Sequence, residues 1–298
     1  MELLVCIKQV PDTSEIKLDP ETNTLIRTGL PSIVNPFDMN ALEAALDVKD
    51  KYPGTRVSVI TMGPPQATLA LKECISMGAD DAYLITDRAF AGADTLATSY
   101  TIACAIAKVQ EDQGKPFDMI FCGKQAIDGD TAQVGPQIAE ELGIPQVTYV
   151  CDIEVNDNIV RTKREHEEGF EVLDTEMPML LTAVKALNEP RYPTLHNSIR
   201  ATQYEVKTIT VKDMTTDPKR LGLQGSPTRV RKVYSPPMRS AGNAYRCGFG
   251  IRGNGYGCVK TKRTYLIAKE ELRCLKNTKV SMSLLTASTV RCAKSHTN

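Results

Sequence analysis

Short apolar runs recur along the first half of the chain, and each is followed by a stretch whose apolar residues return every third or fourth position. "LLVCIKQV" (Leu3–Val10) reads as a buried strand. "NPFDMNALEAALDVKDKY" carries helical spacing at Leu42, Ala45, Leu46 and Val48, with Asn35 or Asp38 as the cap. "RVSVITMG" alternates as a strand does, and "PPQATLALKECISMG" predicts a helix that opens on proline and closes at Gly78. "DAYLIT" is a strand, and "DTLATSYTIACAIAKVQED" a helix starting near Asp94. "DMIFCG" is a strand, "TAQVGPQIAEELG" a helix that opens at Thr131 and is closed by Gly143, and "QVTYVCDIEV" a further strand. Strands alternating with helices at this spacing predict a doubly wound α/β domain with a mainly parallel sheet. An order of 3-2-1-4-5 would set the first and fourth strands side by side.

After Val150 the pattern changes. "NIVRTKRE" and "GFEVLDTE" predict an added antiparallel hairpin, and "MPMLLTAV" (Met177–Val184) one more buried strand. From Ala186 to Pro237 the chain is polar and proline-marked with little helical period, which predicts an extended arm suited to docking on another subunit. The expected organisation is a nucleotide-binding α/β domain over 1–185, a recognition loop and arm over 186–237, and a basic, poorly ordered tail over 238–298.

Charge sharpens that division. Residues 239–298 hold 12 Lys/Arg and 2 Asp/Glu, a net of +10, so the remaining 24 basic and 34 acidic side chains give residues 1–238 a net of −10. An acidic body argues against a nucleic-acid partner. The start "MELLVCIKQV" does not read as a signal peptide, and there is no apolar run of the roughly 18 residues a membrane span needs. The 9 scattered cysteines fit a reduced cytoplasm better than a disulfide framework.

The candidate chemistry lies in "CGKQAIDGDTAQVGPQ", where a buried strand gives way to a polar loop and then a helix. In open α/β sheets, ligands sit beyond the carboxyl ends of the strands where the order reverses. Gly123 and Gly129 would let backbone N–H groups approach a diphosphate, and the start of the following helix adds partial positive charge. Gln125, Thr131 and Gln133 can donate hydrogen bonds. Asp128 and Asp130 would repel phosphate, so at least one must point away, cap the helix or accept from a ribose hydroxyl. Asp94, Thr95 and Thr98 form a second polar helix start on the same rim. An ordinary strand-to-helix turn capped by Asp130 or Thr131 explains the shape equally well. The segment is not a GxxxxGK[ST] loop, because Gly123–Lys124 leads it instead of closing it.

Five segments, "VCIKQVPDT", "SIVNPFDMNALEAAL", "VITMGPPQA", "CGKQAIDGDTAQVGPQIAEELG" and "LNEPRYPTL", in that order over residues 1 to about 237, resemble the β subunit of electron transfer flavoproteins. The resemblance implies a heterodimer whose α subunit carries one FAD on a mobile domain. It implies a β subunit that holds AMP or, in electron-bifurcating members, a second FAD. By position it implies nucleotide contacts at Cys6, Asn35, Phe37, Asp38, Met62, Gly123, Lys124, Gln125, Asp128, Gly129, Thr131, Gln133 and Val134. "AFAGADTLATSYTIA", "TMGPPQA" and "DGDTAQVGPQ" resemble the bifurcating group, which adds Asp94, Thr95 and Thr98 and favours FAD, with NAD(H) as electron donor or acceptor and ferredoxin as a partner. "LNEPRYPTLHN" resembles the loop that docks a flavin-dependent dehydrogenase, such as an acyl-CoA or lactate dehydrogenase, through Tyr192, Pro193 and the apolar anchor Leu195. Glu165 matches a position near the α-subunit flavin. Read without the resemblance, Leu195 is a surface leucine and Glu165 one acid in a solvated run. No side chain is expected to be a catalytic acid or base.

Other signals carry less. Gly248, Gly250 and Gly253 spell GxGxxG, but no strand precedes them and more glycine follows. Cys247, Cys258, Cys274 and Cys292 lack a CxxC pair, and His166, His196 and His296 are scattered, so no metal site is expected. The basic tail departs from the family, whose members end in an amphipathic helix; an altered reading frame or a lineage-specific extension would explain it. A nucleotide-binding regulatory domain without a redox role shares the expected fold and stands as the alternative of another class.

Overall fold

The computed structural model describes residues 1–12 and 32–230. The expectations placed on the tail, including the Gly248–Gly253 motif, the four tail cysteines and His296, lie outside the described residues. The elements follow the predicted alternation closely. They are β1 (Glu2–Cys6), β2 (Gln9–Pro11), β3 (Ser32–Val34), α1 (Pro36–Lys51), β4 (Arg56–Met62), α2 (Thr68–Met77), β5 (Asp81–Ile85), α3 (Thr95–Gln113), β6 (Met119–Gly123) and α4 (Val134–Leu142). Then come β7 (Gln146–Asn156), β8 (Ile159–His166), β9 (Gly169–Glu176), β10 (Met179–Ala183), α5 (Leu195–Gln203) and β11 (Lys207–Ile209).

One sheet runs β11-β5-β4-β1-β6-β10-β7-β8-β9, and β2 pairs β3 separately. Its core is parallel, with β1 between β4 and β6, as the 3-2-1-4 order requires. The place beside β6 belongs to β10, not to the next strand in sequence, β7. Burial explains the choice: all five residues of β10 are buried, so it belongs where helices cover both faces, whereas β7 alternates toward solvent. The predicted hairpin is present as β8–β9, and β7 extends it into an antiparallel meander.

Two apolar clusters cover the sheet. Leu42, Leu46, Leu71 and Ile75 of α1 and α2 pack on Leu3, Val5, Val59, Phe121 and Leu181. Ile102, Ile106 and Ile138 of α3 and α4 pack on Leu4, Ile60, Ile120 and Leu180. Alternate residues of β1 therefore serve opposite layers, as strand geometry demands.

The segment after residue 186 is not wholly extended. It forms α5, which lies against α2, and β11, which adds a parallel edge to β5. The helix escaped the sequence pattern because Leu195 and Ile199 face solvent and only Ala201 is buried. Arg191 fastens the segment to α1. Its backbone N–H donates to Glu43 Oε2 at 2.8 Å, and its guanidinium also reaches Asp47 at 3.3 Å and Asp50 at 2.9 Å. Glu43 is only 5% exposed, so Arg191 balances a carboxylate that water hardly reaches. Asn40 and Asn188 reinforce the joint, each side-chain amide donating to the other's backbone carbonyl.

Replacing Arg191 by leucine would strand Glu43 among uncompensated acids. We expect Arg191→Leu to lower stability by about 1.5–3 kcal/mol, the range for charged hydrogen bonds, read as a drop in the urea midpoint.

Candidate functional site

The first turn of α1 meets the exits of both central strands. Lys8 N–H donates to Asp38 Oδ2 at 2.8 Å, and Gly123 N–H donates to Asp38 Oδ1 at 3.1 Å. One carboxylate thus bridges the chain leaving β1 and the end of β6. Glycine at 123 is a steric necessity: a Cβ there would lie 2.7 Å from the Phe37 carbonyl carbon and 2.8 Å from Asp38 N, and would run into the Asp38 carboxylate. Asn35 occupies the helix N-cap position but does not cap by its side chain. It turns outward to the polar loop, where Nδ2 donates to Gln125 O at 2.8 Å and Oδ1 accepts from Ile127 N–H at 3.2 Å. The loop after β6 is therefore bound to the exit of β1, at the switch point of the sheet.

The two loop carboxylates have separate partners. Lys8 Nζ sits 2.6 Å from Asp128 Oδ1, and Gln125 Nε2 donates to Asp130. Residues 127–129 form a turn, with Asp130 N–H donating to Ala126 O at 2.8 Å. Asp130 (φ 50°) and Ala132 (φ 54°) adopt left-handed backbone, uncommon for residues with a side chain. Contrary to expectation, α4 starts at Val134, three residues after Thr131. Neither Asp130 nor Thr131 caps it, and its N-cap Gln133 makes no side-chain cap bond. An uncapped helix start behind a glycine-bearing turn is where backbone N–H groups can receive an anion. The simple capped turn weighed from sequence is not what the chain builds.

The second polar rim is more occupied. Asp94 caps α3, its Oδ1 accepting from Ala97 N–H at 3.1 Å, while Oδ2 accepts from Thr228 N–H at 3.0 Å and Thr228 Oγ1 at 2.8 Å. Burial opposes its charge, but these hydrogen bonds outweigh burial and hold the carboxyl below its ordinary range. Thr95 Oγ1 donates to Gln133 Oε1 at 3.1 Å, which joins the two rims. Thr98 lies in the first turn of α3, its N–H on Asp94 O. Met62 ends β4 and packs half-buried on the α3–α4 layer. Cys6 ends β1, in register with Cys122 of β6. Lys124 is half-buried, its ammonium over the Tyr149 ring at 4.9 Å. The residues expected to contact a nucleotide thus lie at the ends of β1, β4 and β6 and at the starts of α1, α3 and α4. A concavity of about 350 Å³ lies apart from them, lined by Tyr100, Cys104, Lys108, Glu141 and Asp213.

Glu165 is half-buried in β8, directly opposite Phe170. Tyr192 and Leu195 are 91% and 79% exposed, with exposed Pro193 between them. Leu195 opens α5, so it projects from a helix start capped by Thr194, not from a loop. Sequence reading missed the roles of Lys8 and Tyr149. The "VCIKQVPDT" segment contained Lys8, but nothing local ties it to an aspartate 120 positions away.

The polar loop bound to the β1 exit, at the switch point of the sheet and followed by the uncapped start of α4, defines the class as a doubly wound α/β domain. Comparison gives the class its particular form. The family model "Electron transfer flavoprotein domain" matches residues 22–214. The chain is 54% identical over 243 residues to "Electron transfer flavoprotein subunit beta" of Megasphaera elsdenii, covering 81% of this chain and 90% of that one. It is 52% identical over 242 residues to "Caffeyl-CoA reductase-Etf complex subunit CarD" of Acetobacterium woodii, covering 81% and 90%. "Protein FixA" of Azotobacter vinelandii is 48% identical over 244 residues, covering 80% and 86%. The chain belongs to the electron transfer flavoprotein β-subunit family.

Asp38 generates a pH test. Burial pushes its carboxyl from 3.8 up to about 7, against the hydrogen bonds from Asn35, Lys8 and Gly123 and the charge of Lys8. The folded chain holds this proton to higher pH than the unfolded chain does. The stability it contributes is complete below pH 4 and is lost as pH rises through 7. Asp81, Asp87 and Asp94 are held below 3.8 and lose their contribution only at lower pH, outside this window. Urea midpoints should therefore fall between pH 5 and pH 8 in the parent, with a shallower slope in Asp38→Asn.

Proposed function

We propose that the chain is the β subunit of a heterodimeric electron transfer flavoprotein, that it binds FAD in the crevice between β1 and β6, and that it works in electron bifurcation. In that reading electrons arrive from NADH, and leave for ferredoxin and, through the α-subunit FAD, to or from a partner dehydrogenase. The observation that carries the reading is the Asn35 bridge, which binds the 125–127 backbone to the β1 exit beside the uncapped start of α4.

The residues present fit an adenine dinucleotide. Backbone N–H groups at the start of α4 would receive the diphosphate, with Thr131 and Gln133 as side-chain donors. Lys8 offsets Asp128, and Gln125 engages Asp130, so the loop's own carboxylates do not stand free against phosphate. When bound, the flavin supplies the redox chemistry; the protein supplies position and electrostatics. Asn35 and Asp38 fix the loop against both strands. Tyr192 and Leu195, on a segment anchored by Arg191, offer an apolar face to a dehydrogenase. Its relative CarD is named as a subunit of a caffeyl-CoA reductase complex, which supports a partner of that kind. A cytoplasmic location fits the acidic body and the free cysteines at 6, 74, 104, 122 and 151. Among the described residues no helix is long and apolar enough to cross a membrane.

One observation favours the second reading, an AMP-binding subunit without a redox role of its own. Both Asp94 oxygens are taken up by Ala97 and Thr228, which leaves the rim assigned to the larger ligand less able to contact it.

Flavin counting separates the readings. Acid extraction of the heterodimer should yield two flavins and no AMP; one flavin with one AMP selects the second reading. Thr131 is exposed and outside the helix. Thr131→Glu should cut β-bound nucleotide at least tenfold while the unfolding midpoint holds.

A further inference from the structure

Cys6 and Cys122 are the last buried-face residues of the two central strands, and they stand directly opposite each other in the parallel register. Residues paired in this way share a face, and both side chains lie in the layer that α3 and α4 cover. Neighbouring strands run about 4.8 Å apart, within the roughly 4.4–6.8 Å between Cα atoms that a disulfide spans. Both cysteines are free, and Cys6 is the first cause that raises the Cys122 thiol above its ordinary range. Cys6 is half-buried at the mouth of the crevice, whereas Cys122 is 5% exposed and lies beneath the first turn of α4. A Cβ on Gly135 would come within 3.4 Å of the Cys122 Cβ, so the helix start rests on the pair. Core packing accounts for one small apolar residue at each position. It does not call for two facing thiols, one of them reachable by solvent, where the two strands end.

We propose that Cys6 and Cys122 form a redox-sensitive dithiol which hydrogen peroxide converts to a disulfide, reshaping the floor of the crevice. Cys6, the accessible sulfur, attacks a peroxide oxygen. The S–O bond forms as the O–O bond breaks, and the departing hydroxide takes the thiol proton to leave as water. The resulting sulfenic acid faces Cys122, whose sulfur attacks Cys6 Sγ. The S–S bond forms, the S–O bond breaks, and hydroxide leaves with the Cys122 proton as a second water. Two thiols lose two electrons and one peroxide gains them. The order follows the surroundings: the neighbouring Cys6 thiol and burial hold the Cys122 thiol well above its ordinary range, which suits it to the second step and not the first. Shortening the sulfur contact to a bond of about 2.05 Å shifts the strand ends that Asp38 and Asn35 tie to the loop. That consequence for the nucleotide rests on the proposed function; the cross-link itself does not.

The test uses the intact heterodimer, purified under nitrogen, in nucleotide-loaded and nucleotide-stripped forms. After limited peroxide and alkylation of remaining thiols, unreduced digests are read by mass spectrometry. The expected product joins the Cys6 and Cys122 peptides, is lighter by two hydrogens, and is reversed by dithiothreitol. On unaltered protein, phenylarsine oxide, a reagent for paired thiols, should bind and protect both cysteines from alkylation. Sulfinic acid at Cys6 without a cross-link, pairing of Cys6 with another cysteine, or arsenical that leaves both thiols alkylatable overturns the proposal. The oxidised chain should retain less than a tenth of its nucleotide. A clean cross-link with nucleotide fully retained refutes the crevice assignment and leaves the dithiol standing. Tight nucleotide binding with no cross-link in the stripped form does the reverse.

Discussion

The site depends on one carboxylate buried where a helix begins. Asp38 is 6% exposed, and it takes a backbone N–H from each of the two strand exits that a doubly wound sheet leaves side by side. The ladder between β1 and β6 ends at Cys6 and Cys122, and beyond it this carboxylate holds the two backbones together. With it, the last residue of β6 must be glycine, because the helix backbone lies against it. The three features imply one another: an acid in the first turn of α1, a missing side chain at 123, and a chain that leaves β1 close enough for its Lys8 N–H to reach the same carboxylate. Asn35, three positions earlier, extends the arrangement by one shell and hands the position of the strand exits on to the polar loop.

Charge in the loop follows the same economy. Asp128 and Asp130 would make a poor neighbour for phosphate if both were free. Each is engaged instead, one by an ammonium from the other strand exit and one by an amide five positions back in its own loop. Exposed ion pairs contribute little to stability, commonly under about 1 kcal/mol. Their value here is geometric, since each holds a carboxylate aside and leaves backbone N–H groups and the α4 dipole to set the local field.

Much of this could be read from sequence because periodicity reports burial. The strands and helices that carry the core announce themselves at Leu3–Val5, Leu42–Leu46 and Ile102–Ile106, where alternate or every-third residues must face the sheet. What could not be read falls where burial gives no signal. The start of α4 was placed at Thr131 because small polar residues mark helix starts. The chain instead spends Asp130 and Ala132 in left-handed conformations that neither residue type advertises. Helix α5 shows solvent its Leu195 and Ile199, so its period looks like noise. The neighbour of β6 is β10 for a reason visible only when the whole sheet is counted, since burial on both faces has to be shared out among all its strands. Lys8–Asp128 joins residues far apart in sequence, and single-sequence reading has no access to such pairs.

The segment after residue 186 shows how the same chain can present a surface and guard a site. Arg191 and Asn188 fix it on α1, Tyr204 donates to Asp81 and accepts from Ala82 N–H at the edge of the sheet, and Ser226 and Thr228 bond the start of α3 at Asp94. Tyr192 and Leu195 lie just beyond the first of these anchors, so their ordering is already met within the fold and would add little to the cost of covering them. The last anchor closes that rim: Asp94 holds Thr228 with the oxygen that its helix cap leaves over. Any movement that frees Thr228 also frees this carboxylate. The polar rim and the end of the described arm are thus two sides of one set of hydrogen bonds, and the polar atoms that the rim leaves open depend on where the arm lies.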